Sequence, residues 1–117
     1  MKNKILIILI STIIIILNIL NSGCLSTTTH TVKYEVTGSA SKVFVTYENE
    51  YGGTSQEEVY LPWSYTFTAE SGDYVYISAQ NLGDSGSVTV TIYKDGEVFK
   101  TSTSSGGYVI ATASGFI

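Results

Sequence analysis

The residues best placed to carry chemistry surround Cys24, the single cysteine of the chain. Ser22 and Gly23 precede it. Lys2 and Lys4 lie at the start of the chain, directly before an apolar stretch, residues 5–20. A positive start, an apolar stretch and small residues before a cut are the parts of a secretory signal peptide. A cysteine directly after the cut can accept lipid chains. The pattern therefore predicts that residues 1–23 are a lipoprotein signal peptide and that Cys24 is lipidated.

Asn21 leaves a second interpretation open, because the third position before such a cysteine is normally Leu, Val or Ile. The segment would then stay uncleaved as a single-pass membrane anchor. As a helix, residues 5–20 would reach about 24 Å, which is short of the roughly 30 Å hydrocarbon core and favours cleavage. Both interpretations place the rest of the chain at the extracytoplasmic face of the cell membrane, behind a short polar linker, residues 24–30.

Candidates for acid–base or nucleophilic catalysis are few. His30 is the one histidine of the chain and lies in the predicted linker, so a Ser-His-Asp arrangement would require it to fold back onto the domain. We therefore expect it to be solvated. Glu57 and Glu58 are neighbours on a predicted strand and point to opposite faces, so they cannot act as a catalytic pair. The sequence predicts no enzyme activity and no cofactor.

Metal binding has little support from the sequence. The acidic residues of the turns show no regular spacing of oxygen ligands, and aspartate is favoured in turns for its own backbone hydrogen bonds. A calcium ion, if one were bound, would be expected in the loop 81–87. We expect no metal site. The turn acids are Asp73, Asp84, Asp95 and Glu97.

The charge and length of the exported part restrict its class. Residues 24–117 are enough for one domain and too few for two. They carry four lysines against ten acidic residues, a formal net charge of about −6, and the chain has no arginine. Nucleic acid is excluded as an expected partner, since phosphate binding needs clustered positive charge. With Cys24 the sole cysteine, no disulfide can form within the domain.

Alternation of apolar and polar residues with a period of two recurs along the domain, and Gly, Asn, Asp and Ser separate the segments. Pro62 must end one strand, because it cannot donate to a ladder. Asp95-Gly96 predicts a two-residue hairpin. We predict an all-β fold over residues 31–117, an immunoglobulin-like antiparallel sandwich of seven to eight strands. The segments are 31–36, 42–47, 57–61, 63–69, 74–79, 88–93, 97–102 and 108–113.

Two groups of aromatic residues are candidate interface residues. Tyr60, Tyr74, Tyr76 and Tyr93 fall on the outward phase of their strands, and neighbouring strands would unite them into one face suited to protein, glycan or lipid headgroups. The alternative is that tyrosine occurs there for its strand propensity and cross-strand pairing.

Pro62 and Trp63 form the second group. An indole beside a strand-ending proline can close the open end of a sandwich or be presented to a partner. The area that a tryptophan buries favours closure of the end.

Several segments together resemble the small MmpS-type membrane proteins, over nearly all of residues 31–117. The resemblance implies an extracytoplasmic β-sandwich on an N-terminal membrane anchor that serves RND-type transporters, which export lipids or siderophores. Members of that family have a transmembrane helix and often a cysteine pair in the domain, whereas this chain has a lipobox-like end and no such pair. The segments are Tyr34-Glu35-Val36-Thr37-Gly38, Val45-Thr46-Tyr47, Leu61-Pro62-Trp63-Ser64, 88–92 and Asp95-Gly96-Glu97-Val98.

Two functions are therefore expected to compete. The first is a membrane-tethered binding or adaptor protein, accessory to an RND-type exporter. The second is a free-standing lipoprotein module of the cell envelope that binds glycan, lipid or another surface protein.

Overall fold

The computed structural model describes residues 27–117, so Cys24 and the predicted signal segment lie outside the described residues. The described chain forms eight strands. They are β1 (Thr29–Thr37), β2 (Lys42–Glu48), β3 (Thr54–Tyr60), β4 (Trp63–Glu70), β5 (Tyr74–Asn81), β6 (Ser87–Lys94), β7 (Glu97–Ser105) and β8 (Ile110–Phe116).

The strands build two antiparallel sheets that pack face to face. Sheet 1 has the order β4-β1-β6-β7, and sheet 2 has the order β3-β2-β5-β8. Hairpins join β2 to β3 and β6 to β7, and the other five connections cross between the sheets. The all-β antiparallel sandwich predicted from the sequence is confirmed. Its strand order is not that of immunoglobulin domains, in which the first two strands share a sheet.

The core lies between the sheets and consists of the residues that the alternation assigned to the inward phase. In β1 these are Val32, Tyr34 and Val36, which are all fully buried. Sheet 2 contributes matching sets from β2 and β5, and β6 adds three more branched residues. Branched and aromatic side chains suit a half-buried pleated surface, which is why these segments become strands.

Local backbone chemistry fixes two of the turns. Asp95 and Gly96 both have positive φ, at 51° and 83°, as a two-residue type I′ hairpin requires, and this predicted hairpin is confirmed. Tyr108 also has a positive φ, 59°, and its N–H donates to Gly83 O. Strand β8 therefore starts at Ile110 rather than at 108, where the alternation placed it.

One end of the sandwich receives the chain from the N-terminal segment, and we call it the entry end. Thr29 there pairs with Glu70, Thr31 O accepts from Asp95 N, and Ile117 N donates to Asp73 O. The turns β2–β3, β4–β5 and β6–β7 therefore all lie at this end. The other connections lie at the opposite, far end. Within residues 27–117 the structure has no helix long and apolar enough to cross a membrane.

Tyr34 links the two sheets through its hydroxyl group. Its O–H donates to the backbone carbonyl of Glu48 at 2.8 Å and accepts from the backbone N–H of Tyr76 at 3.2 Å. Burial raises the pKa of the Tyr34 hydroxyl well above its usual range. The neutral hydroxyl is therefore held as a donor and an acceptor inside the core.

We expect Tyr34→Phe to destabilise the domain by about 1 to 3 kcal/mol, because it leaves two part-buried backbone groups without this partner while keeping the ring. Urea unfolding of the variant measures this loss. Tyr51→Phe is the matched control, since Tyr51 is 88% exposed and its hydroxyl faces solvent. Equal stability of the two variants would contradict the bridging role.

Candidate functional site

His30 lies in strand β1 and is not the solvated linker residue that the sequence predicted. Its side chain is only 17% exposed. Nδ1 is 2.7 Å from Oδ2 of Asp95, and Nε2 is 2.9 Å from Oγ of Ser71. Because a carboxylate can only accept, Nδ1 carries the proton towards Asp95. The domain thus contains a Ser71–His30–Asp95 chain of hydrogen bonds.

Three separate elements bring these side chains together at the entry end. His30 continues the inward phase of β1, Ser71 lies in the β4–β5 turn, and Asp95 lies in the β6–β7 turn. Oδ1 of Asp95 also accepts from the N–H of Thr31 at 2.9 Å, which fixes the carboxylate. The signal for His30 was present in the sequence, because the alternation through Val32 extends two residues further back.

The Ser71–His30–Asp95 chain has the order of a nucleophile, a base and an orienting acid. Acyl transfer also needs free N–H groups that stabilise the developing oxyanion. In the β4–β5 turn the N–H of Ser71 donates to Thr28 O at 2.9 Å, that of Gly72 donates to Ile117 O, and that of Asp73 donates to Glu70 O at 3.0 Å. These three N–H groups are therefore already hydrogen-bonded to backbone carbonyls. The hydrogen bonds among Ser71, His30 and Asp95 fasten the start of β1 to two turns, and we call this arrangement the clasp.

The hydrogen bond from His30, followed by that from Thr31 N–H, lowers the pKa of the Asp95 carboxyl. A lowered pKa in the folded state stabilises the fold at pH values above the unfolded pKa, about 4, and this contribution is lost as the pH falls through the folded pKa.

We expect Asp95→Asn to have a lower melting temperature than the wild type near neutral pH and to approach the wild type under acid conditions. Melting curves from about pH 2 to 7 test this. A gap that stayed constant into acid would contradict the clasp.

A surface cavity of about 250 Å³ lies beside the clasp at the entry end. Its walls include Glu48, Glu50, Asp73 and Tyr74, and neither Ser71 nor His30 lines it. Within residues 27–117, no group of three or more His, Cys, Asp or Glu is placed to hold a metal ion.

Asn81 occupies the start of the loop in which a calcium ion would have been expected. Its side chain is buried. Nδ2 donates to Ser85 O at 2.8 Å and to Gly106 O at 3.0 Å, while Oδ1 accepts from Gly83 N at 2.9 Å. The amide therefore holds the β5–β6 and β7–β8 connections together at the far end. Sequence reasoning missed this role, because the loop and its second partner are distant along the chain.

The four candidate tyrosines do not form one face, so the prediction that neighbouring strands unite all four is wrong. Tyr93 lies on β6 in sheet 1, where its hydroxyl donates to Glu35 at 3.1 Å. Tyr60, Tyr74 and Tyr76 lie on the outer face of sheet 2. Tyr60 is at the far end beside Lys42, and the other two are at the entry end. Alternation assigns a residue to the inside or the outside, but it does not say which sheet a strand joins.

Trp63 begins β4, directly after the connection through Pro62 that crosses from sheet 2 to sheet 1. Pro62 is exposed, whereas Trp63 is half-buried and packs against the core. The indole ring centre lies 5.2 Å from that of Tyr47. This geometry favours the closure of the sandwich over presentation to a partner.

The outer face of sheet 2, which we call the aromatic face, unites three of the four candidate tyrosines with three apolar residues that the sequence analysis did not single out. Several of its apolar side chains are widely exposed, including Tyr60 at 73% and Phe116 at 71%. The rings of Tyr74 and Phe116 lie 5.4 Å apart across β5 and β8. The face became recognisable only once the strand order had brought these residues together. Its apolar members are Phe44, Tyr60, Tyr74, Tyr76, Ile110 and Phe116.

Comparison with known proteins adds no family to this description, since no protein-family model and no curated protein matches the chain. The resemblance to MmpS proteins therefore stays a prediction.

Proposed function

We propose that the protein is a non-enzymatic binding domain, tethered to the extracytoplasmic face of the cell membrane by its N-terminal segment. The start of the fold supports this proposal best. Thr28 O already accepts from Ser71 N, and β1 begins at Thr29. From Cys24 to Thr28 the chain can span about 14 Å. A lipid on Cys24 would thus hold the entry end close to the membrane surface.

The hydrogen-bonded N–H groups of the β4–β5 turn support the non-enzymatic part of the proposal. Ser71 has a base beside it but has no free backbone N–H from its own turn to stabilise an oxyanion.

Full-length protein incubated with a fluorophosphonate, which labels activated serines, is expected to keep its unmodified mass. Labelling that disappears in Ser71→Ala would contradict this part of the proposal.

The resemblance to MmpS proteins supports a narrower proposal, that the partner is an RND-type exporter. The competing proposal is a free-standing envelope module, which the exposed apolar side chains of the aromatic face favour. Affinity capture of the full-length protein from its own membranes separates the two. Co-purification of transporter subunits in fixed ratio supports the adaptor, and their absence alongside retention of a non-protein ligand supports the free-standing module.

A further inference from the structure

The side chains of the aromatic face stand in rows that run across the strands, and Lys42 and Tyr60 form the short row at the far end. The next row contains Glu58, Phe44, Gln80 and Ile110, which are paired in register. The middle row contains Thr46, Ser78 and Thr112, also in register, and Thr112 Oγ1 lies 3.3 Å from Ser78 Oγ.

Two further rows lie nearest the entry end, and each contains a tyrosine. Tyr76 pairs with Ser114, and Tyr74 pairs with Phe116. Hydroxyl groups are therefore held on one pleated surface between rows that carry exposed aromatic and aliphatic side chains.

The charges of the face restrict what it can bind. Lys42 forms an ion pair with Glu58 at 2.8 Å and also lies over the ring of Tyr60, 5.7 Å from its centre. Among the outward residues of sheet 2, the remaining charge is Glu48, at the margin. A polyanion would meet no uncompensated positive charge here, and Glu48, Glu50 and Asp73, which line the cavity beside Tyr74 at the entry-end margin, would repel it. Over the rest of the face, where Lys42 and Glu58 compensate each other, the complementary ligand is neutral.

The size of the face argues against a protein partner. Four strands about 4.8 Å apart, each about 23 Å long, give a projected area of about 440 Å². A stable protein interface needs about 800 Å² from each partner. Pleating and protruding rings make the accessible area larger than this projected area, so the comparison favours a narrow ligand over a folded protein without excluding the protein.

We infer that the aromatic face binds a neutral oligosaccharide or polysaccharide chain. Sugar rings present apolar C–H faces that can pack on Tyr and Phe rings, and their hydroxyl groups can bond to Thr, Ser and Gln side chains. Tyrosine supplies such contact area at low cost in side-chain entropy. The inference rests on the proposed function in one respect, the location outside the cytoplasm, where envelope polysaccharides occur.

The spacing of the rows indicates a chain of several sugars rather than a monosaccharide. Four residues of β5 separate Tyr76 from Gln80, which corresponds to about 13 Å along the strand. A single sugar ring would contact one row, whereas a longer chain would contact the hydroxyl row and the apolar side chains on either side of it.

Native gel electrophoresis of the full-length protein in mild detergent tests the inference, with a soluble neutral glucan, mannan or galactan cast in the gel. Retardation by at least one neutral polymer is expected. Replacing exposed residues at both ends of the face, in a Tyr60→Ala, Phe116→Ala double variant, should weaken apparent affinity at least tenfold. Tyr51→Ala is the matched control, because Tyr51 is more exposed than either and lies in the β2–β3 turn.

Absence of retardation by all three neutral polymers would overturn the inference, as would equal retardation of the double variant and the wild type. Retardation only by an anionic polymer, dextran sulfate, would also overturn it. A concentration-dependent dimer lost in the double variant would assign the face to a second copy instead. None of these outcomes bears on the tether, which the mass of the membrane-purified protein tests separately.

Discussion

Replacing Asn81 with alanine is expected to lower the free energy of unfolding by about 3 kcal/mol or more. The buried amide satisfies Ser85 O, Gly106 O and Gly83 N, and alanine would leave all three without that partner. Each unmet buried group costs about 1 to 3 kcal/mol, and partial entry of water would recover some of the loss. Urea unfolding measures the change directly, with an unchanged m-value showing that two-state behaviour is kept.

Asn49→Ala is the matched control for this effect. Asn49 also organises a turn, since its Oδ1 accepts from Tyr51 N and Gly53 N, but it is half-buried at the entry end. Water can replace its bonds more easily, so we expect a smaller loss than for Asn81→Ala. If both variants lost the same small amount, the amide of Asn81 would not be the group that holds the two far-end connections.

Trp63→Ala is the second replacement with a large expected effect, about 2 to 4 kcal/mol of destabilisation. The indole packs against the core beside Tyr47, and alanine would leave a cavity where β3 crosses to β4. This expected destabilisation is small for the loss of a tryptophan, because the side chain is half-buried rather than fully buried. Thermal and urea unfolding measure the loss.

Tyr108→Ala is the control for Trp63→Ala, because Tyr108 is a 60% exposed aromatic residue at the same end of the sandwich. We expect Tyr108→Ala to change stability by less than about 0.5 kcal/mol, as for an ordinary surface position. If Trp63→Ala were equally mild and captured fewer partners from membranes, the indole would be a contact for a partner and not a structural plug.

The alternation of side chains predicted the layers of this fold well. In β1 and β6 the inward residues are branched or aromatic and the outward ones polar, so the period of two is unambiguous. In β3 the alternation of apolar and polar residues is weaker, because this edge strand has polar residues on both of its faces. This strand accordingly begins at Thr54, three residues before the predicted start.

The candidate sites were harder to predict, because they depend on which strands become neighbours. The clasp joins residues 41 and 65 positions apart. The aromatic face requires that β5 pair with both β2 and β8. Five of the seven connections cross between sheets, and turn residues alone do not specify where a crossing strand will pair. His30 is the exception, since extending the alternation of β1 by two residues would have placed it inside the domain.

The intact mass of the protein purified from membranes of the producing cell shows whether the binding domain is tethered outside the cytoplasm. We expect a chain that begins at Cys24 and carries the added mass of lipid. An unmodified full-length chain recovered in the soluble fraction would contradict the tether. An unmodified full-length chain that remained in the membrane would replace the lipid by the uncleaved anchor.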